Sequence, residues 1–61
     1  MRYKGFTTTN IVEENGIYST TVENSKEYLK ITADSLQDIQ SAFENTIDKY
    51  IEKYTKLGIE P

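Results

Sequence analysis

Residues 35 to 57 read SLQDIQSAFENTIDKYIEKYTKL and carry the strongest structural signal in the chain. Apolar residues recur there at intervals of three and four, which places them on one stripe of an α-helix. The stripe consists of Leu36, Ile39, Phe43, Ile47, Tyr50, Tyr54 and Leu57. Because such a stripe must be buried, the sequence predicts a long amphipathic helix over 35–57 that packs on the rest of the chain.

Both ends of this helix carry residues that commonly terminate helices. Asp34 with Gln37 three positions later forms a capping-box pattern. Ser35 with Asp38 forms a similar pattern one residue on, so two candidate N-caps are open. At the other end Gly58 can adopt the left-handed conformation that closes a helix.

The segment before the helix is rich in residues that favour β-strands. It predicts strands at residues 2–12, 17–22 and 28–33. Asn15–Gly16 is the strongest short hairpin signal and lies between the first two strands. We therefore expect a single α+β domain over 1–61, in which a three-stranded antiparallel sheet packs on one long C-terminal helix in the order β-β-β-α.

The first predicted strand has no consistent apolar face. Tyr3 and Ile11 share one face by alternation, whereas Phe6 and Val12 share the other. Either a bulge near Gly5 shifts the register, or both faces are covered. The third strand is regular, since residues 29, 31 and 33 are apolar and alternate with polar or aromatic residues.

Composition limits what so small a chain can do alone. It has 61 residues, a net charge of -3, and neither cysteine nor histidine. It therefore lacks disulfides and the usual zinc ligands. A domain of this size buries only about 60% of its unfolded surface, so we expect self-association or docking to a partner to stabilise it.

The same inventory argues against several function classes. Seven basic residues are diluted by ten acidic ones, so we expect no direct nucleic-acid binding. No apolar run approaches a membrane span or a signal peptide, and we expect a cytoplasmic protein. The commonest general base and thiol nucleophile are missing and the glycines are isolated, so we expect no enzymatic activity, no cofactor and no metal.

The predicted helix is longer than its sheet, at about 34 Å against roughly 20 Å for a six-residue strand. Its last two turns would therefore overhang, to be covered by a partner or by the chain's own tail. Exposed tyrosines are common at binding hot spots. The residues predicted to bind a partner are Tyr18, Tyr28, Tyr50, Ile51, Tyr54 and Leu57. The alternative is that Tyr18, Tyr28 and Tyr54 complete the core.

Several segments resemble the HicB-like antitoxin family. They are the opening MRYKGF, the strand end Ile31-Thr32, the helix start Asp34-Ser35-Leu36, the pair Ala42-Phe43, the run Ile47-Asp48-Lys49-Tyr50-Ile51, and the segment Gly58 to Pro61 that follows the helix. The similarity covers most of the chain. It implies a partial RNase H-like fold that lacks the RNase H catalytic acids and forms homodimers or larger homo-oligomers.

The resemblance also implies a function. HicB-like antitoxins neutralise a small RNase toxin by covering it, and many carry a C-terminal DNA-binding domain that represses their own operon. This sequence reaches Pro61 without such a domain, so we do not expect operator binding. The leading hypothesis is a non-enzymatic inhibitor that occludes a toxin RNase. The alternative is an orphan or phage-borne inhibitor of a host defence enzyme, also acting by protein–protein binding.

Overall fold

The computed structural model describes all 61 residues and contains two small antiparallel sheets and one C-terminal helix. The elements are β1 (Arg2–Tyr3), β2 (Phe6–Thr7), β3 (Val12–Glu14), β4 (Ile17–Thr21), β5 (Lys30–Ala33) and α1 (Leu36–Leu57). β1 pairs with β2, while β3, β4 and β5 form the second sheet in that order. The α+β class is confirmed, but the strands are more interrupted than predicted.

The single strand predicted over residues 2–12 is wrong, because a two-residue turn at Lys4–Gly5 divides its first part into β1 and β2. The φ angles of Lys4 and Gly5 are 50° and 86°, and positive φ at both central residues is the signature of a type I′ hairpin turn. Tyr3 pairs with Phe6 across this turn, so the two side chains share a face despite their opposite parity in the sequence. The predicted Asn15–Gly16 turn is confirmed between β3 and β4.

One residue of the first strand region has no cross-strand partner. Thr8 bridges to Val22 and Val12 pairs with Ser19. Three residues therefore lie between Thr8 and Val12 on the first strand, but only two lie between Ser19 and Val22 on the strand opposite. The extra residue forms a β-bulge within residues 9–11. The register shift that was expected near Gly5 thus lies further along the chain.

Threonine hydroxyls hold the bulge together. Thr20 is only 4% exposed, and its hydroxyl donates to the Thr9 carbonyl oxygen at 2.8 Å. The Thr9 hydroxyl in turn accepts the backbone N–H of Thr21 at 3.1 Å. These bonds satisfy polar groups that the irregular ladder leaves without ordinary partners.

The core lies where α1 crosses the sheets. It consists of Phe6, Val22, Ile31, Ile39, Phe43, Ile47 and Tyr50. The middle of the predicted helical stripe is therefore buried, whereas Leu36 and Leu57 at its ends are 58% and 60% exposed. Ile31 is 2% exposed, which confirms the apolar face predicted for the third strand. That strand starts at Lys30 instead of residue 28, because residues 23–29 form a loop.

The N-terminus of α1 is capped by Ser35, the second of the two candidates. Its backbone is extended, and its hydroxyl accepts the Asp38 backbone N–H at 3.1 Å. The side chain of Asp34 is exposed and is not the cap. α1 thus starts one residue later than the predicted bound.

We expect Ser35→Ala to lower the free energy of unfolding by about 1 kcal/mol, because it removes the acceptor for a helix N-terminal N–H. Asp34→Ala, the matched control, should change it by less than about 0.5 kcal/mol. Urea unfolding followed by circular dichroism on dilute protein measures both. A larger loss in Asp34→Ala than in Ser35→Ala would contradict the capping assignment.

The C-terminus of α1 ends in a Schellman motif. Gly58 has a φ of 73°, a conformation that side chains with a Cβ rarely adopt. Its N–H donates to the Thr55 carbonyl, and the Ile59 N–H donates to the Tyr54 carbonyl at 3.0 Å. The predicted glycine cap is confirmed. No helix in the chain combines the length and the apolar character needed to cross a membrane.

Candidate protein-binding surface

Two segments fold over the C-terminal half of α1, namely the loop 23–29 and the tail 58–61. Tyr50 is 4% exposed and links both of them. Its hydroxyl accepts the Lys26 backbone N–H at 2.7 Å and donates to the Pro61 carbonyl oxygen at 3.1 Å. The Lys26 ammonium also donates to the Glu60 carbonyl at 2.6 Å. The chain therefore covers part of the expected helix overhang itself.

Glu27 makes a second attachment between the loop and the helix. Its carboxylate accepts hydrogen bonds from the Lys53 ammonium at 2.6 Å and the Tyr54 hydroxyl at 2.8 Å. These two donors hold the pKa of Glu27 below its ordinary value. The bond to this carboxylate, together with partial burial, raises the pKa of Tyr54 to about 12. Tyr54 thus acts as a hydrogen-bond donor in the folded chain.

We expect Tyr54 to ionise near pH 12, against 10.0 for an ordinary tyrosine. The folded chain holds this proton more tightly than the unfolded chain does. The resulting stabilisation is complete below pH 10 and is lost as the pH rises from 10 to about 12. An ultraviolet titration of the phenolates measures the step, which should vanish in Tyr54→Phe and persist in Tyr28→Phe. A step near pH 12 that survives Tyr54→Phe would rule out this assignment.

Charged side chains also attach the first hairpin to the helix. Asp48 accepts a hydrogen bond from the Lys4 ammonium at 2.8 Å and from the Tyr3 hydroxyl at 3.1 Å. Lys4, as the larger cause, and Tyr3 together hold the pKa of Asp48 below its ordinary value. No group of three or more acidic side chains lies close enough together to hold a metal ion. The carboxylates with altered pKa values therefore belong to two separate attachments of loops to α1.

The six residues predicted to bind a partner differ widely in exposure. Tyr50 lies in the core, and Tyr18, Ile51 and Tyr54 are half-buried and pack against it. Tyr28 and Leu57 are 79% and 60% exposed. Tyr50 is part of the core and is therefore not accessible to a partner. Tyr28 and Leu57 are the two members of the set that are freely accessible.

Leu57 lies in an open depression of about 540 Å³ along the last turns of α1. We call this the helix-end surface, and it is lined by Lys49, Glu52, Lys53, Lys56 and Leu57. Lys56 pairs with Glu52 at 3.1 Å, and Lys53 pairs with Glu27. Lys49 takes no part in the three ion pairs of the chain. The surface thus presents one leucine among predominantly basic groups.

Sequence reasoning missed other exposed apolar positions. Val12 and Ile17 are 57% and 46% exposed, and Ile59 is 50% exposed. In the β3–β4 hairpin, Val12 lies opposite Ser19 and Ile17 opposite Glu14. Both belong to the face that α1 does not cover, because the neighbouring residues Tyr18 and Thr20 face the core. In the sequence, only the lack of a consistent apolar face in the first predicted strand indicated that apolar residues here would be exposed.

Comparison of the chain with protein-family models, curated proteins and solved structures yields no match. The resemblance to HicB-like antitoxins therefore rests on the sequence pattern alone.

Proposed function

We propose that this chain is a non-enzymatic inhibitor that binds a partner protein and occludes it, as a HicB-like antitoxin occludes a toxin RNase. The observation that carries the proposal is the extent of exposed apolar surface. The exposed large apolar residues are Ile11, Val12, Ile17, Tyr28, Leu36, Leu57 and Ile59. They equal in number the seven residues of the core. Single exposed apolar residues are ordinary, and we infer partner binding because so small a chain leaves as many large apolar residues in water as it buries.

The helix-end surface is where we propose the partner binds. An apolar centre with a polar rim is typical of protein interfaces, and Leu57 among lysines has this arrangement. Lysine stems can extend over an apolar partner while their ammonium groups reach its acidic groups. The loop and tail attachments at Tyr50 and Tyr54 keep the supporting helix in place.

We include in the same proposal that the chain has the partial RNase H-like fold. The Thr8–Val22 bridge and the bond from the Glu23 N–H to the Thr7 carbonyl join β2 to the end of β4. With the bulge, residues 6–14 then act as one bent first strand, followed by β4, β5 and α1. This β-β-β-α order supports the partial RNase H-like fold that the resemblance implies.

Co-expression with the product of an adjacent small gene tests the proposal. We expect the two chains to co-purify and the partner's RNase activity to be suppressed in the complex. Leu57→Gln should weaken the complex at least tenfold. Val12→Gln is the control, since Val12 is similarly exposed, at 57% against 60% for Leu57, and lies outside both the helix-end surface and β5.

Two results would overturn the proposal. One is the absence of any complex with the neighbouring gene product. The other is a complex in which the RNase stays fully active. Equal weakening by Leu57→Gln and Val12→Gln would remove the helix-end surface as the binding site.

A further inference from the structure

One edge of the three-stranded sheet, that of β5, is unpaired. The Val22 N–H donates to the Leu29 carbonyl at 3.0 Å, so these two residues form a hydrogen-bonded pair of the β4–β5 ladder. In an antiparallel ladder such pairs occur at every second residue. Backbone groups of residues 29, 31 and 33 point to β4. Those of Lys30 and Thr32 therefore point away from the sheet. We call this unpaired row of donors and acceptors the β5 edge.

The opposite edge of the sheet is less able to pair. It is broken by the bulge within residues 9–11 and by the Lys4–Gly5 turn. Bulges are a common means of blocking edge-to-edge association, and the β5 edge has neither a bulge nor a proline. The β5 edge is thus the regular template for an added strand.

We infer that two copies of this chain pair through their β5 edges, antiparallel and with Thr32 of one copy opposite Thr32 of the other. The two three-stranded sheets would then form one continuous sheet across a twofold axis. Each Thr32 exchanges both backbone hydrogen bonds with its counterpart. This inference stands apart from the proposed inhibitor function, because it concerns a different surface.

Charge distinguishes the two registers that centre on a residue of β5 whose backbone groups point outward. Centring the pair on Lys30 would oppose two lysines, which is unfavourable. Centring it on Thr32 places Lys30 of each copy opposite Asp34 of the other, so the favourable pair occurs twice. Both side chains are exposed, and neither takes part in the three ion pairs of the chain. Asp34 is also not needed as a helix cap, since Ser35 has that role.

The exposed apolar residues at the two ends of β5 fit the same pairing. Tyr28, 79% exposed, precedes the strand and Leu36, 58% exposed, follows it. Antiparallel pairing brings the Tyr28 end of one copy beside the Leu36 end of the other. These two apolar side chains, which the single chain leaves in water, therefore lie near the pairing edge.

A charge-exchange experiment tests the pairing. Lys30→Asp makes the edge wholly acidic, and Asp34→Lys makes it wholly basic. We expect each variant alone to dimerise at least tenfold more weakly than the wild type. An equimolar mixture should form a heterodimer, because each acidic position then faces a basic one. Sedimentation equilibrium and native mass spectrometry measure the masses.

Matched controls carry the same charge changes elsewhere. Lys49→Asp and Glu23→Lys alter exposed residues outside β5 and should leave dimerisation unchanged. Thr32→Pro removes an N–H that points away from β4, so the monomer should keep its fold by circular dichroism while the dimer is lost. In the wild type, the Thr32 amide should become protected from hydrogen exchange only as the protein concentration rises into the dimer range.

Three outcomes would overturn the inference. They are a single species of 7.0 kDa at every concentration, a dimer unaffected by Thr32→Pro, and single-charge variants whose mixture stays unassociated. Protection of Thr32 by a different protein, with no self-association, would assign the edge to that protein. Each of these leaves the Leu57→Gln test of the inhibitor function unaffected, so the two proposals can fail separately.

Discussion

Phe43→Ala is expected to lower the free energy of unfolding by about 3–5 kcal/mol, the largest effect we predict. Phe43 is 0% exposed, and its ring packs edge-on against that of Tyr3 at a centroid distance of 6.3 Å. The truncation would leave a cavity where α1 meets the first hairpin. The core of so small a domain rarely supplies more than about 3–5 kcal/mol, so the variant should be largely unfolded. Circular dichroism and urea unfolding measure the loss.

Leu57→Ala is the control for this prediction, since it shortens an apolar side chain of the same helix that is 60% exposed. Its effect should stay within about 0.5 kcal/mol. If Phe43→Ala kept the wild-type unfolding midpoint, α1 would not be packed on the sheets as described. The comparison separates burial from a general effect of substitution on helix formation.

Tyr50→Phe is expected to lower the free energy of unfolding by about 1–3 kcal/mol, because it removes one hydroxyl and leaves two backbone groups without partners. Those groups are the Lys26 N–H and the Pro61 carbonyl. Faster hydrogen exchange at the Lys26 amide should accompany the loss. Amide exchange followed by NMR and urea unfolding measure the two effects.

Tyr28→Phe provides the same chemical change at a residue that is 79% exposed. We expect it to be within about 0.5 kcal/mol of the wild type in dilute solution. Equal effects of the two substitutions would mean that the Tyr50 hydroxyl does not hold the loop and tail. Loss of stability without faster exchange at Lys26 would point to a different cause.

The parts of the fold that follow local rules were predictable from the sequence. The spacing of Ile39, Phe43 and Ile47 predicts α1, because helix periodicity is a property of nearby residues. Asn15–Gly16 predicts its turn for the same reason. The Lys4–Gly5 turn was missed, because lysine seldom occupies a position of positive φ and gives no turn signal there.

Features that depend on distant residues could not be predicted. The parity conflict between Tyr3 and Phe6 disappears only once the turn between them is known. The burial of Tyr50 depends on a loop 24 positions before it and a tail 11 positions after it. The helix periodicity of the sequence therefore places Tyr50 on the apolar stripe but does not reveal what covers it. The β5 edge likewise follows from strand order, which pattern alone does not reveal.

The attachment of the first hairpin to Asp48 has a consequence for synthesis of the protein. Tyr3 and Lys4 bond a residue 45 and 44 positions later in the chain. A nascent polypeptide that stops short of Asp48 therefore lacks both this attachment and the core residue Tyr50. The complete fold therefore forms only after Asp48 and Tyr50 have been synthesised, and until then the first hairpin lacks its attachment to α1.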